Sequence, residues 1–256
     1  LVQEPGTLEV SHVSFAYPGG EKIYEDFNLS ATPGQIIGVT GAVACGKSTL
    51  GKTFLCEYPY EGRICFHGKE LSGMTKAEQN GMVGYLGHDP ELFNDSVRNN
   101  ILLGDDDDPE KYLKAVCFDG EVAEMEEGMD TIVGNGGVRL SGGQAQRLAL
   151  ARTLCHKRPV LILDDPFSAL DRKTEEEVFA NLRKFTADSI VILLSHRLYM
   201  FPQMDQVLWM EDGKVTAGTH EQILEKFPEY ARLYEAQADG ADAHNTQEGG
   251  PDHAEK

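Results

Sequence analysis

The sequence predicts an α/β domain: a doubly wound, mostly parallel core with a helical lobe inserted into it. Short apolar, β-branched runs at 83–86, 160–163 and 190–194 have the length of strands buried on both faces. Helical stretches separate them, which implies right-handed crossovers. The block 94–158 is mostly helical, with Val97, Ile101 and Leu102, then Tyr112, Leu113 and Val116, each set on one face of its segment.

The elements follow in order. Residues 7–15 alternate, with Leu8, Val10, Val13 and Phe15 apolar, and Tyr17-Pro18-Gly19-Gly20 supplies turn chemistry, so a strand and hairpin are expected. Pro33-Gly34 marks the next turn. Gln35-Ile36-Ile37-Gly38-Val39 reads as a short buried strand that enters a glycine-bearing loop, with a helix from about Lys47. The acids of 105–108 precede Pro109 and suit a solvated loop before a helix N-terminus, with calcium binding as the sharper alternative. Near the end, 207–209 and 214–216 form a hairpin about Glu211-Asp212-Gly213. The folded part is expected to span 1–236, and 237–256 to be a disordered acidic tail.

At 256 residues the chain can bury a sizeable core as one domain with a minor lobe. A net charge of −19 argues against nucleic acid as a partner, because the average surface field repels phosphates. The apolar runs are too short to cross a bilayer, and no signal peptide is visible. The five cysteines (45, 56, 65, 117, 155) form no CxxC pair and no zinc spacing, which suits a reduced compartment with small core thiols.

The chemistry concentrates in three places. Gly41-Ala42-Val43-Ala44-Cys45-Gly46-Lys47-Ser48 fits G-x-x-x-x-G-K-[ST] between a strand and a helix, where backbone N–H groups can cradle phosphates. Lys47 would reach the β and γ oxygens and Ser48 would hold Mg²⁺, with Thr49 next in the same cradle. The run Val160-Leu161-Ile162-Leu163 ends in Asp164, placed to hold Mg²⁺ opposite that loop, and Asp165 can polarise an attacking water. Leu140-Ser141-Gly142-Gly143-Gln144 then opens a helical run, and Ser141 with two bare glycine amides makes a second anion-binding terminus. One domain has a single phosphate loop, so this second terminus suggests a nucleotide on a partner.

Together these residues resemble the nucleotide-binding domain of ABC ATPases over roughly residues 8–236. The resemblance implies a P-loop NTPase (RecA-like) core with an antiparallel β subdomain and an inserted α-helical subdomain near 94–158. It also implies ATP and Mg²⁺ as ligands, and a Ser141–Gly142–Gly143–Gln144 signature that covers ATP on the opposite protomer. Tyr17 matches the aromatic residue that stacks on adenine, Asp171 of Ser168-Ala169-Leu170-Asp171 the loop crossing the dimer interface, and His196 the switch histidine at the γ-phosphate. The segments 92–101 and 128–137 look like the exporter versions of those that receive the membrane domain's coupling helices. The expected function is therefore an ATPase motor on the cytoplasmic face of the cell membrane. Its partners would be a fused or separate transmembrane domain and a second nucleotide-binding domain, identical or different. A first residue of Leu rather than Met suits an excised C-terminal part of such a polypeptide. A soluble ABC ATPase acting on ribosomes or DNA, and an ATP-binding regulatory half with little hydrolysis, are the alternatives.

Four positions depart from the family pattern. Asp165 stands where glutamate is usual, one methylene short, and His88 where a glutamine amide would touch Mg²⁺ and water. Ala44 replaces a loop glycine, and Asn135 stands where exporters commonly carry glutamate. The expectation is an asymmetric heterodimer in which this loop binds ATP and turns it over slowly, while the intact signature completes a fast site on the partner.

Overall fold

The computed structural model describes residues 6–42, 45–134 and 136–245; Val43, Ala44 and Asn135 lie outside them. The chain begins with strands β1 (Leu8–Ala16), β2 (Lys22–Ala31) and β3 (Ile36–Gly41), then helix α1 (Lys47–Thr53). Strands β4 (Glu61–Phe66) and β5 (Lys69–Glu70), helix α2 (Lys76–Met82) and strand β6 (Val83–Leu86) follow. The next block holds β7 (Asp95–Ser96), α3 (Val97–Leu102), α4 (Pro109–Ala115), α5 (Asp119–Ala123), β8 (Ile132–Val133) and α6 (Gly142–Cys155). Strand β9 (Val160–Asp164), helix α7 (Arg172–Phe185), strands β10 (Ile190–Leu194), β11 (Gln206–Glu211) and β12 (Lys214–Gly218), and helices α8 (His220–Lys226) and α9 (Pro228–Asn245) complete it.

Ten strands form one sheet in the order β5-β4-β1-β2-β12-β11-β3-β10-β9-β6. The segment β11-β3-β10-β9-β6 is parallel throughout, and β1 pairs antiparallel with both β2 and β4. Pleating sends alternate residues to opposite faces, so each apolar strand feeds two cores. Leu161, Leu163, Val191 and Leu193 join the core beneath the helical lobe, while Val160, Ile162, Ile190 and Ile192 join the core around α1 and the antiparallel strands. This is why the runs at 160–163 and 190–194 carry no polar alternation.

The hairpin of β11 and β12 turns at Asp212 and Gly213, both with positive φ, as a two-residue type I′ turn requires. The Gly213 carbonyl accepts the Glu25 N–H at 2.9 Å, which ties the parallel core to the antiparallel subdomain.

The helical lobe is mostly as its periodicity predicts: Val97, Ile101, Tyr112, Leu113 and Val116 are all buried. It also contains the short β7–β8 ladder. The acidic run before α4 is used locally. Asp108 caps the helix by accepting the Glu110 N–H, and Asp107 pairs with Lys111 at 2.6 Å and accepts the Tyr112 hydroxyl at 2.7 Å. The cysteines depart from expectation, since all five are half-buried rather than core residues.

The boundary at 236 needs correction. Helix α9 runs on to Asn245, so residues 237–245 are helical rather than part of a disordered tail. They extend a helix already nucleated and docked through Tyr230, which is fully buried, and propagation from a formed helix is far less costly than nucleation. Among the described residues no helix is long and apolar enough to cross a membrane.

Candidate functional site

Strand β3 delivers the glycine loop to α1. Gly46 precedes the helix at φ +97°, and a Cβ there would lie 2.4 Å from Ile23 Cγ2, so both backbone angle and space select glycine. A side chain at Gly41 would strike the Met210 carbonyl at 2.3 Å, which lets β11 close on the loop. Helix α1 packs on β3, β9 and β10, and this aims its N-terminus at the carboxyl ends of those strands. Ser48 is exposed there, Thr49 is half-buried, and the buried Lys47 ammonium lies 3.4 Å from the carbonyls of Gly41 and Ala42 and 3.9 Å from Cys45 Sγ. Tyr17 lies beside this helix and shares a 3.3 Å hydrogen bond with Thr49, while its ring meets Phe15 and Tyr58 edge-on at 5.0 and 5.4 Å.

Asp164 ends β9 almost fully buried and accepts the Tyr85 hydroxyl at 3.1 Å. Tyr85 comes from the neighbouring strand β6, opposite Ile162, and burial beside this carboxylate pushes its hydroxyl pKa up. Asp165 adopts φ +51°, a left-handed conformation that Asp and Asn tolerate better than most residues, and its N–H donates to the Leu194 carbonyl at 2.8 Å. Burial raises the Asp165 pKa; His196, His88 and Arg197 pull it down and Asp164 pushes it up. His88 Nδ1 stands 3.8 Å from Asp165 Oδ2, so the two departures from the family pattern are neighbours in space.

His196 lies two residues beyond β10, exposed, and close enough to Asp165 to act on its charge. Asp164, Asp165, His88 and His196 thus converge at the carboxyl end of the parallel sheet, beside α1.

The signature turn stands elsewhere. Helix α6 packs against α3, α4 and β6. Ser141 and Gln144 close a capping box: Ser141 Oγ accepts the Gln144 N–H at 3.2 Å, and Gln144 Oε1 accepts the Ser141 N–H at 2.9 Å. Glu121 holds the first turn through Gln144 Nε2 at 2.7 Å and Arg147 at 2.6 Å. Ser141 and Gly142 are exposed, and a Cβ on Gly143 would sit 2.9 Å from the Ala169 carbonyl, so the turn abuts the segment before α7. Asp171 is occupied as the cap of α7: its carboxylate accepts the Thr174 N–H at 3.0 Å and hydroxyl at 2.6 Å, which lower its pKa.

Three contributors were not apparent in the sequence. Gln146 bonds the His88 carbonyl at 3.3 Å, Ser168 Oγ at 2.9 Å and the Ala169 N–H at 3.3 Å, joining the two halves. Arg197 holds the carbonyls of Ser168 and Leu170, each at 2.8 Å, and pairs with buried Glu175, which also accepts from Tyr199. Tyr85 had a weak signal, since β6 was legible as a buried strand and a hydroxyl there needs a partner.

The exporter-like segments also meet. Asp95 and Ser96 pair with Val133 and Ile132, and Asn94 Oδ1 accepts the Gly136 N–H at 3.0 Å. Around them Phe93, Leu103, Ile132 and Val138 are exposed, and a cleft of about 560 Å³ is lined by Phe93, Asn94, Asp95, Asn99 and Leu103.

A parallel core whose strand ends face a glycine loop and helix N-terminus defines a P-loop nucleotide-binding domain. Comparison with known proteins names the family. The sequence profile of the ABC transporter family matches residues 24–168. The chain is 35% identical over 243 residues to the probable multidrug resistance ABC transporter ATP-binding/permease protein YheI of Bacillus subtilis, covering 92% of this chain and 42% of that protein. It is 38% identical over 237 residues to the ATP-dependent lipid A-core flippase of Pseudomonas syringae, covering 90% and 40%. The structure of a bacterial Atm1-family ABC exporter with ATP bound superposes with a TM-score of 0.84 at 30% identity, covering 93% of this chain and 43% of that one. The chain belongs to the ABC transporter family, as its ATP-binding ATPase domain. It spans about two fifths of the length of these relatives.

Proposed function

We propose that this domain binds Mg-ATP between its own glycine loop and the signature turn of a second such domain, and that closure drives export through a fused or separate transmembrane domain at the cytoplasmic face of a membrane. One observation carries the reading: the two anion-binding termini stand apart, that of α1 on the core strands β3, β9 and β10, and that of α6 on the helical lobe, where α6 packs chiefly on α3 and α4 and also on β6. In this reading Gly41, Ala42, Val43, Ala44, Cys45, Gly46 and Thr49 cradle the phosphates, Lys47 neutralises the β and γ oxygens, and Tyr17 stacks on the base. Ser141, Gly142, Gly143 and Gln144 cover the partner's nucleotide, with Asp171 at the interface. The cleft beside Phe93 receives the membrane domain.

The donor set suits a hard cation. Ser48 offers an exposed hydroxyl, and Asp164 a carboxylate with one oxygen held by Tyr85, all oxygen ligands. Mg²⁺ would there neutralise phosphate charge; His88, a nitrogen donor, fits it less well. The chain's residues then orient a water for in-line attack on the γ-phosphorus, breaking its bond to ADP. Asp165 accepts the water's proton and His196 donates to the γ-phosphate.

His88 beside Asp165 favours the slow-site form of this proposal, since a protonated His88 would pair with the carboxylate and repel a cation. Single-turnover hydrolysis in the assembled protein, with Lys47→Ala and the partner's equivalent lysine mutated separately, tests it. The expected result is a small loss from Lys47→Ala and a large one from the partner's lysine; comparable losses would rule out asymmetry.

A further inference from the structure

The backbone that carries His196 is held at three points. The Ser195 N–H donates to the Val39 carbonyl at 3.1 Å, which fixes the chain as it leaves β10. The Arg197 N–H folds back onto Ser195 Oγ at 3.0 Å. Two further polar groups, the His196 carbonyl and the Leu198 N–H, both go to one side chain on α9. Gln237 Nε2 donates to the His196 carbonyl at 2.8 Å and Gln237 Oε1 accepts the Leu198 N–H at 2.8 Å.

A primary amide donates from one atom and accepts on another, so it can bridge two successive peptides at once. A carboxylate at 237 could accept from Leu198 but would oppose the His196 carbonyl. Leu198 is buried, so its N–H needs a partner inside the protein. The helix that supplies the amide is itself anchored. Tyr230 is fully buried and shares a 2.7 Å hydrogen bond with His220 Nδ1, and Tyr234 meets the His220 ring at 4.7 Å. Helix α9 also packs along the 3₁₀ turn Leu198–Gln203 that follows the histidine.

We infer that Gln237 is a positioning residue for His196, and that the C-terminal helix thereby sets the orientation of the histidine at the γ-phosphate. The inference rests on the reading of His196 given above. It makes hydrolysis sensitive to α9, some forty residues along the chain, while ATP binding at the glycine loop is left alone. Displacement of α9 by a binding partner would lower turnover without emptying the nucleotide site.

The experiment compares Gln237→Ala, Gln237→Glu and His196→Ala in the full-length protein. With the partner domain's equivalent of Lys47 mutated in every case, so that only this chain's own site turns over, it measures single-turnover hydrolysis, KM for ATP, and hydrogen exchange of the peptide containing Leu198. Gln237→Ala is expected to lower the hydrolysis rate about tenfold at unchanged KM and to expose the Leu198 amide, since misplacing a catalytic group by a fraction of an ångström is costly. Gln237→Glu should retain Leu198 protection and still lose rate, which isolates the bond to the His196 carbonyl. If His196→Ala abolishes hydrolysis while Gln237→Ala keeps the wild-type rate, the inference is overturned and the reading of His196 stands. A loss of rate that comes with raised KM and a general fall in melting temperature would also overturn it, as a plain structural role. If His196→Ala leaves hydrolysis intact, it is the reading of His196 that is lost. Unchanged Leu198 exchange in Gln237→Ala would independently show that Gln237 does not hold the loop.

Discussion

Asp164 ends a strand whose five residues are all buried, whereas Ser141 begins a helix from an exposed turn. On the core side, backbone pairing fixes the functional groups: β9 lies between β10 and β6, and α1 packs against β9, β10 and β3. On the signature side the turn satisfies itself, with Ser141 and Gln144 exchanging hydrogen bonds and Glu121 bracing the first turn. Groups that act within one domain can be built into a rigid sheet. If the turn meets another molecule, as proposed, it has to be stable alone and yet keep free donors, and the bare amides of Gly142 and Gly143 meet that need. The core side instead carries strain, with Asp165 in a left-handed conformation and its carboxylate desolvated beside Asp164.

The sharpest way to break this comparison is Asp165→Glu. Restoring the missing methylene is expected to raise single-turnover hydrolysis at this site by about tenfold or more, because positioned proton transfer is worth about 10² to 10⁴ in rate. An unchanged rate would mean that reach is not what limits the site. Ser141→Ala tests the other side. It removes the cap of α6 and should cost about 1 kcal/mol in denaturant unfolding, while abolishing nucleotide-dependent pairing. Normal pairing would separate the turn from the interface.

The smallest effect is a pH dependence. Burial raises the pKa of Asp165 above its ordinary 3.8, so the folded state holds the proton more tightly than the unfolded chain. Its favourable contribution is therefore complete below about 3.8 and is lost as pH rises through the raised value. Asp165→Asn, which suits the same backbone conformation, should accordingly raise the denaturation midpoint at pH 7. The gain should shrink as pH falls toward 3.8, and a gain independent of pH would point to the backbone instead.

Much of the core was legible because its signals are local. The runs at 83–86 and 190–194 became β6 and β10 with the same ends, and Lys47 does open α1. The helical run after Gln144 was legible too, and the structure adds a capping box between Ser141 and Gln144 that closes its first turn. Gln146, Arg197 and Gln237 were not legible and Tyr85 only weakly so, since each acts on a group 22 or more residues away. The extension of α9 was missed for a related reason: composition alone marks 237–245 as having little to bury, and docking of Tyr230 outweighs that.

Local order therefore belongs to the sequence: periodicity, turn chemistry and the glycine loop specify which elements form, because their determinants lie within a few residues of one another. Which carboxylate stands beside which histidine was left to the tertiary structure. Strand order and helix docking set those distances through the burial of two cores at once, and no spacing along the chain encodes that result.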